Sequence, residues 1–141
     1  MIIVLDTNVL VSGFLSAYNP PGRILDQIVS SQIQVAFDDR ILIEYMEVLA
    51  RPKFQFEPSR VAAITDQIKT NGFQVSASPL GLADPPDPSD LPFAEVAVAS
   101  RADALVTGDK SHFDFLGALG VPVVSPSEFL QALNGLAGRS K

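Results

Sequence analysis

Apolar and polar positions along the chain repeat on two different periods, and the switches between them mark out strands and helices. Residues 2 to 6 form an unbroken apolar run that ends on an acid, Ile-Ile-Val-Leu-Asp6, the pattern of a strand buried on both faces of a parallel sheet. From Val9 the pattern turns helical, until Tyr18-Asn19-Pro20-Pro21-Gly22 interrupts it as a turn signal. A helix over 22–31 follows, with Ile24, Leu25, Ile28 and Val29 on one face, and 33–37 read as a second strand. Asp38 and Asp39 suit the N-cap of a helix over 39–50, which Pro52 stops.

Pro58-Ser59 opens a further helix, and Asn71-Gly72 ends it. Residues 73–77 alternate as a third strand, and the stretch 78–89, with four of the chain's 11 prolines, reads as a loop. A nearly all-apolar helix is predicted over 90–101, then a strand at 104–107, a short helical piece near 110–118 and a last strand at 121–124. Ser125-Pro126-Ser127-Glu128 opens the final helix. Strands alternating with helices predict a three-layer α/β domain, a parallel sheet of about five strands with helices on both faces. No internal repeat or boundary divides it, so the expected domain runs over 1–134, with 135–141 a frayed tail.

Composition narrows the chemistry. With 47% hydrophobic and 18% charged residues, 141 residues are enough to bury a core. Cysteine is absent and there is one histidine, so thiolate and His-rich zinc sites are excluded and oxygen ligands remain. The apolar runs are too short to span a bilayer and no leader pattern opens the chain, so the expected location is the cytoplasm, with no membrane partner. A net charge of -6 argues against nucleic-acid binding through a broad basic surface. That objection weakens if several of the acids hold a cation.

Four acids stand where an α/β sheet can converge them. Asp6 and Asp109 end apolar strands, and such strand ends line the crevice in which open α/β sheets place ligands. Glu44 lies on the 39–50 helix beside the apolar arc of Ile41, Leu42, Tyr45, Val48 and Leu49, at about 100° per residue, whereas Glu47 points outward. Its plain alternative is an exposed pair with Arg40. Asp90 sits at the mouth of the apolar helix, while Asp84 and Asp87 suit turns of the Pro-rich loop. For Asp6 the plain alternative is a helix N-cap, a task Thr7 or Asn8 could take instead. Gly108 is expected to let the backbone turn before Asp109, and His112 reads as a surface or capping residue. Like charges packed together repel, and a divalent cation offsets them.

Asp6-Thr7-Asn8, Glu44-Tyr45-x-x-Val48-Leu49-x-Arg51-Pro52-Lys53-Phe54, Asp87-Pro88-x-Asp90 and Val106-Thr107-Gly108-Asp109-Lys110, in that order, resemble the PIN domain over nearly the whole chain. The resemblance is strongest to the toxin (VapC-like) branch of toxin–antitoxin systems. It implies a metal-dependent nuclease, using Mg2+ or Mn2+, that cuts single-stranded RNA. The acidic site maps to Asp6, Glu44, Asp90 and Asp109, with Thr7 and Asn8 as secondary polar partners. One departure is His112, where many toxin members carry an acid. Within that chemistry Asp6, Asp90 and Asp109 are assigned to the metal and Glu44 to orienting the attacking water. Arg51, Lys53 and Lys110 are the candidate contacts to RNA. The resemblance also implies a homodimer and a cognate antitoxin, and Ile43 and Ala50 lie off the main apolar arc of the Glu44 helix as spare apolar surface.

Two competing readings fail on single positions. A HAD-type phosphatase needs a second acid where Asn8 stands, and a receiver domain needs an acidic pair where only Asp6 is present. Two alternatives stay open: a PIN-fold RNA- or protein-binding module with little catalysis, against which four mutually repelling carboxylates speak, and an RNA-processing nuclease that is not a toxin.

Overall fold

The computed structural model describes residues 1–139. At its centre is β1 (Ile2–Leu5), apolar throughout and almost fully buried, as its unbroken hydrophobic run requires. It pairs in parallel with β2 (Gln34–Phe37) on one side and with β4 (Ala104–Val106) on the other; Ile3 stands opposite Val35 and Leu5 opposite Val106. The edges are β3 (Phe73–Gln74) and β5 (Val123–Val124), giving an all-parallel sheet in the order β3-β2-β1-β4-β5. The chain moves outward from β1 to β3 and then crosses back to β4. The reversal makes the carboxyl ends of β1 and β4 a topological switch point, where sheets of this kind open a crevice.

Helices cover both faces, giving the three layers expected from the alternation of strands and helices. Beyond β1 come α1 (Thr7–Leu15) and α2 (Pro20–Val29); α3 (Asp39–Leu49) and α4 (Pro58–Asn71) join β2 to β3. Next, α5 (Leu91–Ser100) packs on β1, β2 and β4, and α6 (Pro126–Arg139) closes the domain against α2. Phe37, Tyr45, Leu105 and Phe113 are among the fully buried side chains that fill the interior.

Several boundaries differ from expectation for identifiable reasons. The prolines at 20 and 21 start α2 rather than ending a turn, because a ring at the first helical position costs no hydrogen bond. Asn19 caps that helix by accepting from Gly22 N–H at 2.8 Å. Gly22 is needed for close approach: a Cβ there would stand 2.1 Å from the carbonyl oxygen of Ser16, the residue that ends α1. The short helical piece expected near 110–118 is a 3₁₀ segment over 110–119 kinked at Phe113, and a short 3₁₀ turn at Pro52–Phe54 follows α3. The third and fifth strands are two residues each, since edge strands keep only the pairs a neighbour can supply. The helix α6 is continuous through Arg139, so the tail expected over 135–141 falls partly on that helix; 140 and 141 lie outside the described residues.

Candidate active site

Asp6 follows the last residue of β1 and its backbone N–H donates to Val106 O at 3.0 Å, so the switch point itself fixes its position. It occupies the N-cap position of α1, yet its side chain makes no capping hydrogen bond. Instead its Oδ2 accepts from the Thr107 hydroxyl at 2.8 Å. The same hydroxyl oxygen accepts from Asp109 N–H at 3.1 Å. Thr107, wholly buried at the end of β4, thereby links two of the acids. Gly108 is not required by geometry: a Cβ there would meet nothing within 4 Å, so the turn into Asp109 does not depend on a glycine.

Glu44 is half-buried and accepts a short hydrogen bond from the Thr7 hydroxyl, while Glu47 is exposed. Arg40 does not pair with Glu44. Its guanidinium reaches Asp38 at 2.7 Å and the buried Glu95 of α5 at 2.8 Å, a tie between α3 and α5 that sequence spacing does not announce. Next to Glu44, the fully buried Tyr45 donates its hydroxyl to Leu5 O, the carbonyl just before Asp6. Thr7 and Tyr45 therefore lock the Glu44 helix to the end of β1.

Asp90 takes the N-cap position of α5, again without a capping side-chain bond. Asp87 behaves as a turn residue, its Oδ1 accepting from Ser89 N–H and hydroxyl at 2.9 and 2.7 Å. The cleft bounded by these groups has a volume of about 650 Å³ and is lined by Asp6, Asn8, Asp87, Asp90, Asp109 and His112 among others. A smaller adjoining hollow of about 210 Å³ shares Asp6, Asn8 and Asp90 and adds Thr7, Glu44 and Arg51. The four predicted acids thus stand around two joined depressions.

His112 was not expected in the site. Its Nε2 lies 3.1 Å from Asp109 Oδ2 and its Nδ1 3.7 Å from Asp90 Oδ2, between two acids from different elements. Thr107 was also missed as a site residue. Position at the strand end was the available signal for Thr107, and a lone histidine three residues past a site acid was the signal for His112. Of the candidate basic residues, Arg51 lines the hollow beside Glu44. Lys53 lies over the Phe54 ring, 5.0 Å from its centroid, and Lys110 pairs with Glu128 at 2.9 Å. Ile43 is 61% exposed and Ala50 is exposed, so both remain surface residues of α3.

The electrostatics are those of crowded acids. Burial pushes the Asp6 carboxyl above the usual carboxylate range, the Thr107 hydroxyl pulls it back, and the charge on Asp90 adds to the rise. Burial also raises Asp90, opposed by His112 and reinforced by Asp87, Glu44 and Asp109. Asp109 is held low, chiefly by the Ser111 hydroxyl, at 2.6 Å. Among the described residues no group of three or more His, Asp or Glu side chains encloses an ion-sized space. The donors do fit a hard cation bound by few protein oxygens, since Mg2+ keeps several waters and commonly takes one or two carboxylates together with substrate phosphates.

Comparison with known proteins places this site in context. A family model described as the PIN domain matches residues 2–111. Among solved structures, the chain is similar to a chain of the crystal structure of VapBC2 from Rickettsia felis bound to a DNA fragment from their promoter. The TM-score is 0.55 at 17% identity, covering 89% of this chain and 98% of that one, a likeness of fold. No curated protein matches the chain.

Proposed function

The chain belongs to the PIN domain family, and from that premise we propose that it is a metal-dependent endoribonuclease that hydrolyses single-stranded RNA as the toxin of a toxin–antitoxin pair. The observation that carries this reading is the state of Asp6. A strand-end carboxylate that could have capped α1 is instead held half-buried by Thr107 at the rim of an acidic cleft, its pKa raised partly by Asp90. A strand-end carboxylate crowded by a second acid at a cleft is a candidate for a role beyond folding.

Asp6, Asp90 and Asp109 are the residues that would hold Mg2+ or Mn2+. When bound, the cation supplies neutralisation of phosphoryl charge and activation of water. Thr107 fixes Asp6 and the Asp109 backbone relative to each other, so that both strand ends present their carboxylates at one place. Glu44, oriented by Thr7, is positioned to direct an attacking water from the adjoining hollow. Asn8 lines both depressions and offers an amide to a phosphate or a ribose hydroxyl. Arg51, beside Glu44, supplies positive charge where a backbone phosphate would approach.

A homodimer and an antitoxin complete the proposal, with the exposed Ile43 and Ala50 of α3 as surface available to a partner. The similar R. felis structure is of VapBC2 bound to a DNA fragment from their promoter, which supports a partnered toxin by analogy of fold. Among the described residues no helix is long and apolar enough to cross a membrane. The test is inducible expression: the natural chain should arrest growth, and Asp6→Asn or Asp109→Asn should abolish the arrest at equal protein levels. Equal effects of all three chains would overturn the toxin reading.

A further inference from the structure

We propose that the apolar groove between α3 and α4 is a base pocket for the RNA strand, holding one unpaired nucleobase beside the phosphate that is cut. The inference rests on the nuclease reading of the acidic cleft and concerns how the strand is held there.

Position and charge carry it. The groove has a volume of about 450 Å³, and Met46, Leu49, Phe56 and Val61 wall it; small-molecule sites typically enclose about 300–1,000 Å³. Arg51 lines both this groove and the hollow that holds Glu44. A strand crossing the hollow therefore meets a guanidinium at the mouth of the groove, and a phosphate bound there leaves the neighbouring base beside an apolar wall. Among the described residues Arg51 and Lys53, on the adjoining 3₁₀ turn, take part in no ion pair, whereas Arg40 and Lys110 are engaged by carboxylates. In a chain of net charge -6, uncommitted cations at this junction complement a polyanion.

The polar groups of the groove suit a base edge. Gln55 has a φ of 52°, the left-handed region that few residues other than glycine adopt, and its amide lines the groove. An amide both donates and accepts, so it can pair with the edge of a base. Asp66 of α4 lines the groove as well. Its carboxylate repels a phosphate but accepts from an exocyclic amino group, so base and not backbone belongs there. Phe56 packs against Phe14 and stacks on Phe54, with ring centroids 5.1 and 5.2 Å away, which makes that wall preformed. An apolar protein segment would also find walls here. It has no need of a cation shared with the acidic hollow.

Full-length protein is given single-stranded RNAs of randomised sequence with Mg2+ or Mn2+, and the cut ends are sequenced for wild type, Gln55→Gly, Ala62→Phe and Asp6→Asn. Gln55→Gly removes the amide and suits the left-handed backbone. Ala62→Phe fills the groove from an exposed position on α4 that lines it. Wild type should favour one base at a fixed position beside the cut by at least about fivefold, as paired hydrogen bonds to a base edge allow. Gln55→Gly should lose most of that bias. On the most favoured RNA, Ala62→Phe should raise KM at least about fivefold and leave kcat within about twofold. An abasic ribose at the favoured position should raise the wild-type KM as much and add nothing in Ala62→Phe. Melting curves check that the variants fold. If wild type cuts, Asp6→Asn does not, and both groove variants keep the wild-type bias and KM, the pocket is wrong and the nuclease reading stands. A change in Ala62→Phe confined to its mass by light scattering would give the groove to a protein partner and also overturn the pocket. If folded wild type cuts no RNA with either metal, both readings fall.

Discussion

Replacing Thr107 with Val keeps the shape of a fully buried side chain and deletes a hydroxyl that serves both strand ends of the site. The hydroxyl donates to the Asp6 carboxylate at 2.8 Å and accepts from Asp109 N–H at 3.1 Å. A hydrogen bond to a charged group contributes about 1.5–3 kcal/mol. For a domain of this size 1 kcal/mol moves the melting temperature by about 3–5 °C, so metal-free Thr107→Val should melt about 5–15 °C lower at neutral pH. The sign of the pH dependence follows from Asp6. The Thr107 bond lowers the Asp6 pKa, so losing it raises that pKa further above its unfolded value. A carboxylate with a raised folded pKa destabilises the fold as it ionises, and that penalty fades as pH falls through the Asp range. The gap between wild type and Thr107→Val should therefore be full at pH 7 and narrow toward pH 4, and Thr107→Ser should restore most of it. Circular dichroism melts across that range decide the matter. A gap that stays constant with pH would refute the link to Asp6, and no gap at all would refute the network.

Asp6→Asn should melt higher than wild type without metal at neutral pH, because ionising Asp6 works against folding once pH exceeds the unfolded value of 3.8; the advantage should vanish below that pH. The same change should blunt the rise in melting temperature with Mg2+ or Mn2+, which for a fold-specific ligand at a hundred times its Kd corresponds to about 2.7 kcal/mol. For RNA, Arg51→Ala should lower the salt slope of binding by about one, while Lys110→Ala should lower it less because Lys110 is already paired with Glu128; equal slopes for both would misplace the RNA path. Light scattering should give the mass of a dimer, and Ile43→Asp should shift it toward the monomer; a monomer at high concentration would remove α3 as the contact.

Much of the fold was legible because its signals are local. The apolar run before Asp6, the Asp38 cap and the Pro58 start each act within one turn or strand, and β1, α3 and α4 lie where these signals put them. Helical periodicity separated Glu44 from Glu47 for the same reason. What stayed hidden depends on residues far apart in the chain. Thr107 looks like an ordinary strand residue until the β1–β4 pairing brings it to Asp6. The buried Glu95 has meaning only through Arg40 on another helix. His112 reads as a surface residue until a 3₁₀ kink turns it between Asp90 and Asp109. At Pro20 the signal was local but ambiguous, since proline ends one structure and begins another with equal ease.

The central claim is that the acids around the β1–β4 switch point are a hydrolytic centre for RNA. It is tested most directly by the cleavage of a 5′-labelled single-stranded RNA by purified protein with Mg2+ or Mn2+, beside a chelated control and the Asp6→Asn and Asp109→Asn variants. The account predicts metal-dependent internal cuts by the natural chain and loss of at least about a hundredfold in rate, about 2.7 kcal/mol of barrier, for each variant. Cleavage that persists in the chelator or is equal in the variants would contradict it, as would RNA left intact by well-folded protein with either metal.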